Sequence, residues 1–298
     1  SIYMQIQVPF FVTFKHYNPD ARCIFFTNLT LEDLPDYLIR LFRKLNVETV
    51  TLPYSCKPPK GWYTAWQNQF YLYDILKYMG NRMGEEDTLL VSDADCLCHT
   101  SLTPLFEEVR KNGSALYEFI TDRKHIINGI TLPQMEELYR NCYGKTETSP
   151  ITYYGGEFVA FRKDIIDRLN TAFPELWAFN LKYGQQHPFK LNEEAHLLSL
   201  LAEHLNIRNA IANRYVKRMW TTPHFNNVQP NDENFPVWHL PYEKKRGLYQ
   251  LYKLIGKDSD ITNENVFWQK AGSYTGIPCI NLKKRIRDRL TTLWMKLK

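Results

Sequence analysis

Two aspartates, Asp93 and Asp95, stand two positions apart at the end of the apolar run Thr88 to Ser92, in the stretch "DTLLVSDADCLCHTSLTPLF". Carboxylates so spaced on an extended segment point to one side, so both can approach one cation, and Ala94 between them adds no bulk. Hard oxygen ligands of this kind select Mg²⁺ or Mn²⁺. The D-x-D pattern by itself says little, since the chain holds a second one at Asp258 and Asp260 in a polar segment with no strand before it. Context separates them: only the first follows a strand-like run and precedes a turn, and ligands of open α/β sheets gather at the carboxyl ends of strands. The first pair is therefore expected to hold a metal.

Short β-rich runs alternate with helix-period runs, which predicts an α/β fold with a mixed central sheet flanked by helices. Strands are expected over Cys23 to Thr27, Val47 to Leu52, Thr88 to Ser92, Ala115 to Ile120 and Glu157 to Phe161. Between the first two, Leu31, Leu34, Leu38, Phe42 and Leu45 share one helical face behind Thr30 as cap, which completes a βαβ unit. Further helices are expected from Ala65 to Met79, around Leu132 to Tyr139, and from Glu193 to Leu205 behind Asn192. The stretch Ala212 to Val237, with Pro223, Pro230 and Pro236, reads as a loop that shapes a site.

The chain has 298 residues, is 44% hydrophobic and 23% charged, and so has an ordinary globular composition with room for a large core. Its net charge of +5 sits largely in Lys283 to Lys298, where seven Lys or Arg face one Asp, so a nucleic-acid footprint over the domain is not indicated. In that tail Leu282, Ile286, Leu290, Leu293 and Leu297 fall near one helical face with Trp294 beside it. Basic flanks on such a stripe suit an anionic membrane surface; the alternative is a helix docked on the domain by its apolar side. The six cysteines show no zinc spacing and no disulfide framework, no apolar run reaches membrane-span length, and a cytoplasmic protein is expected, peripheral on the inner face of the plasma membrane. The chain opens at Ser1 directly into an apolar stretch, which reads as trimmed, with a first strand missing.

The strand, D-A-D and following turn resemble the DXD segment of GT-A-fold glycosyltransferases, most closely the glycogenin-like and bacterial lipopolysaccharide glycosyltransferase group. Other segments agree in order over about residues 3 to 250: "FKHYNPDARCIFFTN", "YYGGEFVAFRKDII", "LNEEAHLLSLL" and "VWHLPYEKK". The resemblance implies a GT-A (Rossmann-like) catalytic domain over 1–255 and a C-terminal extension over 256–298 ending in the basic helix. It implies that Asp93 and Asp95 hold Mn²⁺ or Mg²⁺ against the diphosphate of a nucleotide sugar, with His239 as third ligand. Asp93 also reaches the ribose, and Ala94 lies among the donor-binding positions.

Lys244 and Lys245 are the candidates for diphosphate oxygens, although the family's glycine and Lys-Pro-Trp ending are absent. Gly155 and Gly156 match the sugar-adjacent glycine, and paired glycines in a strand also mark a bulge. Glu193 and Glu194 match the acidic residue beside the acceptor; an inverting enzyme needs a base there, whereas carboxylates in a first helical turn are also favoured by the helix dipole alone. Relatives often carry an Arg where this chain offers Gln67 and Gln69. The expected activity is transfer of a hexose from a UDP-sugar to a glycan or lipid-linked saccharide in bacterial surface polysaccharide synthesis, lipopolysaccharide or capsule. The alternatives are a binding module without turnover and a sugar-1-phosphate nucleotidyltransferase.

Overall fold

A computed structural model of the chain describes residues 1–63, 69–119, 122–146, 150–256 and 261–296. In chain order its elements are α1 (Ile2–Tyr17), β1 (Cys23–Thr27), α2 (Asp36–Leu45), β2 (Val47–Thr51), α3 (Tyr71–Gly80), β3 (Thr88–Ser92), β4 (Cys96–Cys98), α4 (Thr103–Asn112), β5 (Ser114–Phe119) and α5 (Leu132–Tyr143). They continue with β6 (Tyr153–Arg162), α6 (Lys163–Gly184), α7 (Glu194–His204), β7 (Val216–Arg218), β8 (Val237–His239), α8 (Gly247–Ile255), α9 (Glu264–Thr275) and α10 (Leu282–Lys296). The chain divides into two units, each with its own apolar core.

The first unit comprises Ser1–Thr51, Asp93–Thr103 and Arg214–Lys298. Here β1 and β2 pair in parallel from Cys23 against Val47, with α2 between them, as the βαβ expectation requires. The helix does not begin at Thr30. Thr30 instead caps a single 3-10 turn over Leu31–Asp33, and Pro35 ends it, because a proline disfavours helical backbone in the residue before it. Leu31 is consequently exposed, while Leu38, Leu41 and Phe42 are buried, with Phe42 against Phe11 of α1 and Phe25 of β1. A second sheet in this unit has β8 at its centre, antiparallel to β4 and parallel to β7. These three-residue strands lie where the sequence suggested only turn and loop: they are too short to show periodicity.

The second unit comprises Leu52–Ser92 and Pro104–Asn213, with an antiparallel sheet of order β3, β6, β5. The ladder of β5 on β6 shifts register between Ala115 and Tyr117, whose partners are Ala160 and Gly155, so the glycine pair does mark an irregularity. Of the helix expected from Ala65, residues 64–68 lie outside the described residues, and α3 starts at Tyr71. Asp258 and Asp260 also lie outside them.

The C-terminal helix α10 belongs to the first unit and packs by its polar side, not by the apolar stripe of the alternative reading. Lys284 is fully buried, with Nζ 2.7 Å from Glu243 Oε1 and 2.5 Å from Asp288 Oδ2. Arg246 donates to Thr292 Oγ1 at 3.2 Å, and Arg287 to the Tyr274 carbonyl. Burial pushes the Glu243 carboxyl pKa up, and Lys284 opposes that shift. Leu282, Ile286, Leu290 and Leu293, on the opposite side of the helix, are 53 to 72% exposed. The side chain of Trp294 and the residue Leu297 lie outside what is described. No helix among the described residues is long and apolar enough to cross a membrane.

Candidate functional site

Asp93 follows the last residue of β3, and Asp95 precedes the first of β4. The intervening backbone is a turn, not the extended segment assumed from the i, i+2 spacing. The pairing of β4 with β8 places Cys96 opposite His239, and the Leu240 N–H donates to the Asp95 carbonyl at 2.9 Å. That short ladder is what brings a histidine from far along the chain to the acidic pair. His239 Nε2 lies 3.4 Å from Asp95 Oδ2 and 4.0 Å from Asp93 Oδ2. One ligand atom from each of the three residues falls within 4.8 Å of the others.

A divalent ion with ligands at about 2.1 Å sets neighbouring ligand atoms about 3 to 4 Å apart. Two carboxylate oxygens and one imidazole nitrogen at these separations fit Mn²⁺ or Mg²⁺ in both size and donor type. The side chains of Asp95 and His239 are 1 and 2% exposed, whereas that of Asp93 is 57% exposed. The cluster thus has a fixed buried floor and one arm open to solvent.

Of the two candidate lysines, the structure brings Lys244 to this cluster: its Nζ is 2.9 Å from Asp95 Oδ2. Lys245 is exposed. Burial drives the Asp95 pKa upward, but His239 and then Lys244 outweigh it and hold the carboxyl well below the usual carboxylate range. Burial likewise lowers the Lys244 pKa, and Asp95 more than restores it, for a net rise. Asp95 is therefore a carboxylate at any ordinary pH, as a metal ligand must be.

In the second unit Glu193 and Glu194 open α7, and both are buried. The cap of α7 is Glu193, whereas Asn192, expected in that role, donates from Nδ2 to the Asn128 carbonyl. Glu193 is held on every side: Tyr153 Oη donates at 2.6 Å, Asn128 Nδ2 at 2.5 Å, and His196 Nε2 lies 3.3 Å away. Burial, then the Glu193 carboxylate, pushes the Tyr153 phenol far up and keeps it a donor. His196 is fully buried, and its Nδ1 accepts the Asn192 N–H at 3.1 Å, so the proton sits on Nε2, which faces the Ile127 carbonyl at 3.1 Å. Burial lowers the His196 pKa to about 3, with the hydrogen bond to the Ile127 carbonyl opposing it.

The glycine pair sits against these carboxylates. A Cβ on Gly156 would come 2.4 Å from Glu194 Oε1, and one on Gly155 would meet Glu157 Oε2 and Phe119. Space rather than backbone conformation thus favours glycine at both positions, and the chain's own carboxylates fill the room. Gln69 Oε1 is buried with no hydrogen-bond partner among the described residues, and Gln67 lies outside them.

No protein-family model matches the chain, and no curated protein matches it by sequence. Solved structures do match. The galactosyltransferase LgtC, in complex with donor and acceptor sugar analogues, is 15% identical over 96% of each chain with a TM-score of 0.49. An active-site mutant of LgtC is 15% identical over 95% of each chain with a TM-score of 0.51. Mouse xyloside xylosyltransferase 1 in its apo form is 9% identical over 82% of this chain and 94% of its own, with a TM-score of 0.47. The likeness to the LgtC mutant shows the fold: this chain has the GT-A glycosyltransferase fold that its motif order resembles.

Proposed function

We propose that this chain is a metal-dependent glycosyltransferase that moves a hexose from a nucleotide sugar, with UDP as the nucleotide, to a glycan or lipid-linked saccharide of a bacterial surface polysaccharide. The observation that carries the proposal is the convergence of Asp93, Asp95 and His239, in a chain whose fold is that of known glycosyltransferases. Asp95 and His239 form the buried part of the metal site, and Asp93, whose side chain is open to solvent, would meet metal and ribose. A bound Mn²⁺ or Mg²⁺ supplies a Lewis acid that offsets the charge building on the departing diphosphate. Lys244 adds a second positive charge beside Asp95, positioned to turn to diphosphate oxygens. The hydrogen bonds that Glu193 accepts from Tyr153 and Asn128 stabilise its charge and make it a weak base, so the role of base would fall to Glu194.

Thermal shift with UDP-, GDP- and CMP-sugars, with and without Mn²⁺, tests this assignment. A stabilisation seen with UDP-sugar only when Mn²⁺ is present supports it, and a preference for GDP or CMP overturns the donor. Turnover then separates an enzyme from a silent binding module: donor hydrolysis and transfer must both vanish in the Asp93→Asn, Asp95→Asn double variant.

The same proposal places the protein at the cytoplasmic face of a membrane. The outward stripe Leu282, Ile286, Leu290 and Leu293 is flanked by the exposed cations Lys283, Arg285 and Arg289, an arrangement that favours an anionic lipid surface. Co-sedimentation with phosphatidylglycerol vesicles, absent with phosphatidylcholine and lost in Ile286→Asp, Leu290→Asp, is the expected result. Equal sedimentation with both lipids removes this part of the proposal.

A further inference from the structure

The first unit holds a concave feature that the transferase proposal does not use. It is a cleft of about 400 Å³ whose lining includes Trp238, Trp268, His99, Glu233, Asn234 and Gln269. That volume lies within the roughly 300–1,000 Å³ of small-molecule sites. Trp238 and His239 are consecutive in β8 and so face opposite sides of their sheet. Asp95 precedes β4 and His99 follows it, four residues of chain or roughly 13 Å apart. The cleft is therefore separate from the metal cluster.

Its chemistry is specific. Two indoles and an imidazole meet edge to face, with Trp268 5.1 Å from Trp238 and 4.5 Å from His99 between ring centroids. Trp238 is buried beneath the cleft and Trp268 is half-buried at its side, its Nε1 donating to Tyr17 Oη at 2.7 Å. Burial lowers the His99 pKa, with Glu264 opposing, so the imidazole is neutral at pH 7. Besides the neutral His99, Glu233 is the one acidic or basic side chain in the lining among the described residues. Its carboxylate puts negative charge at the cleft wall, with Oε2 itself buried. The exposed amides of Asn234 and Gln269 offer further donors and acceptors beside it.

Aromatic faces carry negative charge density and attract the weakly positive C–H groups of a pyranose, while carboxylate and amides take its hydroxyls. A phosphate or carboxylate ligand is disfavoured by Glu233. We infer that this cleft is a binding site for a neutral saccharide, distinct from the donor site. The cleft takes this ligand whether or not the metal cluster turns anything over.

Cys279 lines the cleft and is exposed, which supplies a readout on the native protein. Lactose, cellobiose and maltotriose are tested for slowing maleimide alkylation of Cys279 and for binding by saturation-transfer NMR. At least one should protect the thiol in wild type and equally in Asp95→Asn. Affinity should fall at least tenfold in Trp268→Ala and in Glu233→Gln. Because Trp268 also packs on Tyr17, Gln269→Ala at an exposed position is included and should weaken binding severalfold with unchanged melting. Three results overturn the inference: no protection by any of the three sugars; binding that survives Trp268→Ala and Glu233→Gln but fails in Asp95→Asn, which moves the saccharide to the metal cluster; or stronger protection by tetramethylammonium than by sugar, which makes the cleft a cation cage.

Discussion

Asp95 in the first unit and Glu193 in the second are both buried carboxylates, yet their surroundings differ in kind. Asp95 faces the Lys244 ammonium at 2.9 Å and the His239 imidazole at 3.4 Å, and beside it stands Asp93, whose side chain is open to solvent. Glu193 faces neutral donors, the Tyr153 hydroxyl and the Asn128 amide, with a His196 imidazole held neutral. A carboxylate balanced by mobile charge can exchange one cation for another. One enclosed by fixed dipoles already has its hydrogen bonds made at the start of α7.

The largest effect that can break this contrast is on turnover. Asp95→Asn should reduce transfer by about a thousandfold, equivalent to about 4 kcal/mol of transition-state stabilisation, with the fold retained by circular dichroism. Glu193→Gln should change kcat by less than tenfold; an equal loss in both variants would erase the distinction. Stability should show the reverse order. Glu193→Ala strips partners from Tyr153, Asn128 and His196 and should lower the unfolding free energy by about 3 kcal/mol in urea titrations, while Mn²⁺ binding stays as in wild type.

Acid sharpens the contrast further, because the two clusters respond in different pH windows. Asp95 has a depressed folded pKa, so its contribution is complete above the unfolded value near pH 4 and is lost only as pH falls below that. His196 has a folded pKa near 3 against about 6.5 when unfolded, so the unfolded state takes up a proton first. Its contribution is complete well above pH 6.5 and declines as pH falls from there toward 3, by about 2 kcal/mol at pH 5. The comparison to make is the slope of stability between pH 8 and 5 in wild type and in His196→Gln, where this component should be missing. The smallest effect expected is that of Gly156→Ala, about 1 kcal/mol, because the atom in its way is the end of the Glu194 side chain and can move. A cost above 3 kcal/mol would mean that Glu194 is fixed as firmly as Glu193.

Much of the scaffold was legible beforehand. The strand Cys23–Thr27 and the strand Thr88–Ser92 carry β-branched, aromatic and aliphatic runs bounded by turn residues, and they appear with those limits. The α2 stripe Leu38, Phe42 and Leu45 was readable from its period, whereas Pro35 moved the start. Strands β4, β7 and β8 were not readable, because three residues give no periodicity and their pairing depends on partners far along the chain. The aromatic cleft around Trp238 and Trp268 was missed for the same reason: its walls come from segments that no local pattern links.

From residue types and order alone followed the alternation of helices and strands, the D-x-D at a strand end, and the basic C-terminal helix. Local patterns encode these because they depend on backbone period and on the chemistry of neighbours. Three matters were decided only by the tertiary structure: that Lys244, and not Lys245, reaches Asp95; that Glu193 is hydrogen-bonded by its neighbours while Glu194 packs over Gly156; and that α10 turns Lys284 inward and its leucines outward. Each rests on which distant side chain supplies the counter-charge or the hydrogen bond. Burial makes those partners energetically compulsory, and linear spacing carries no record of them.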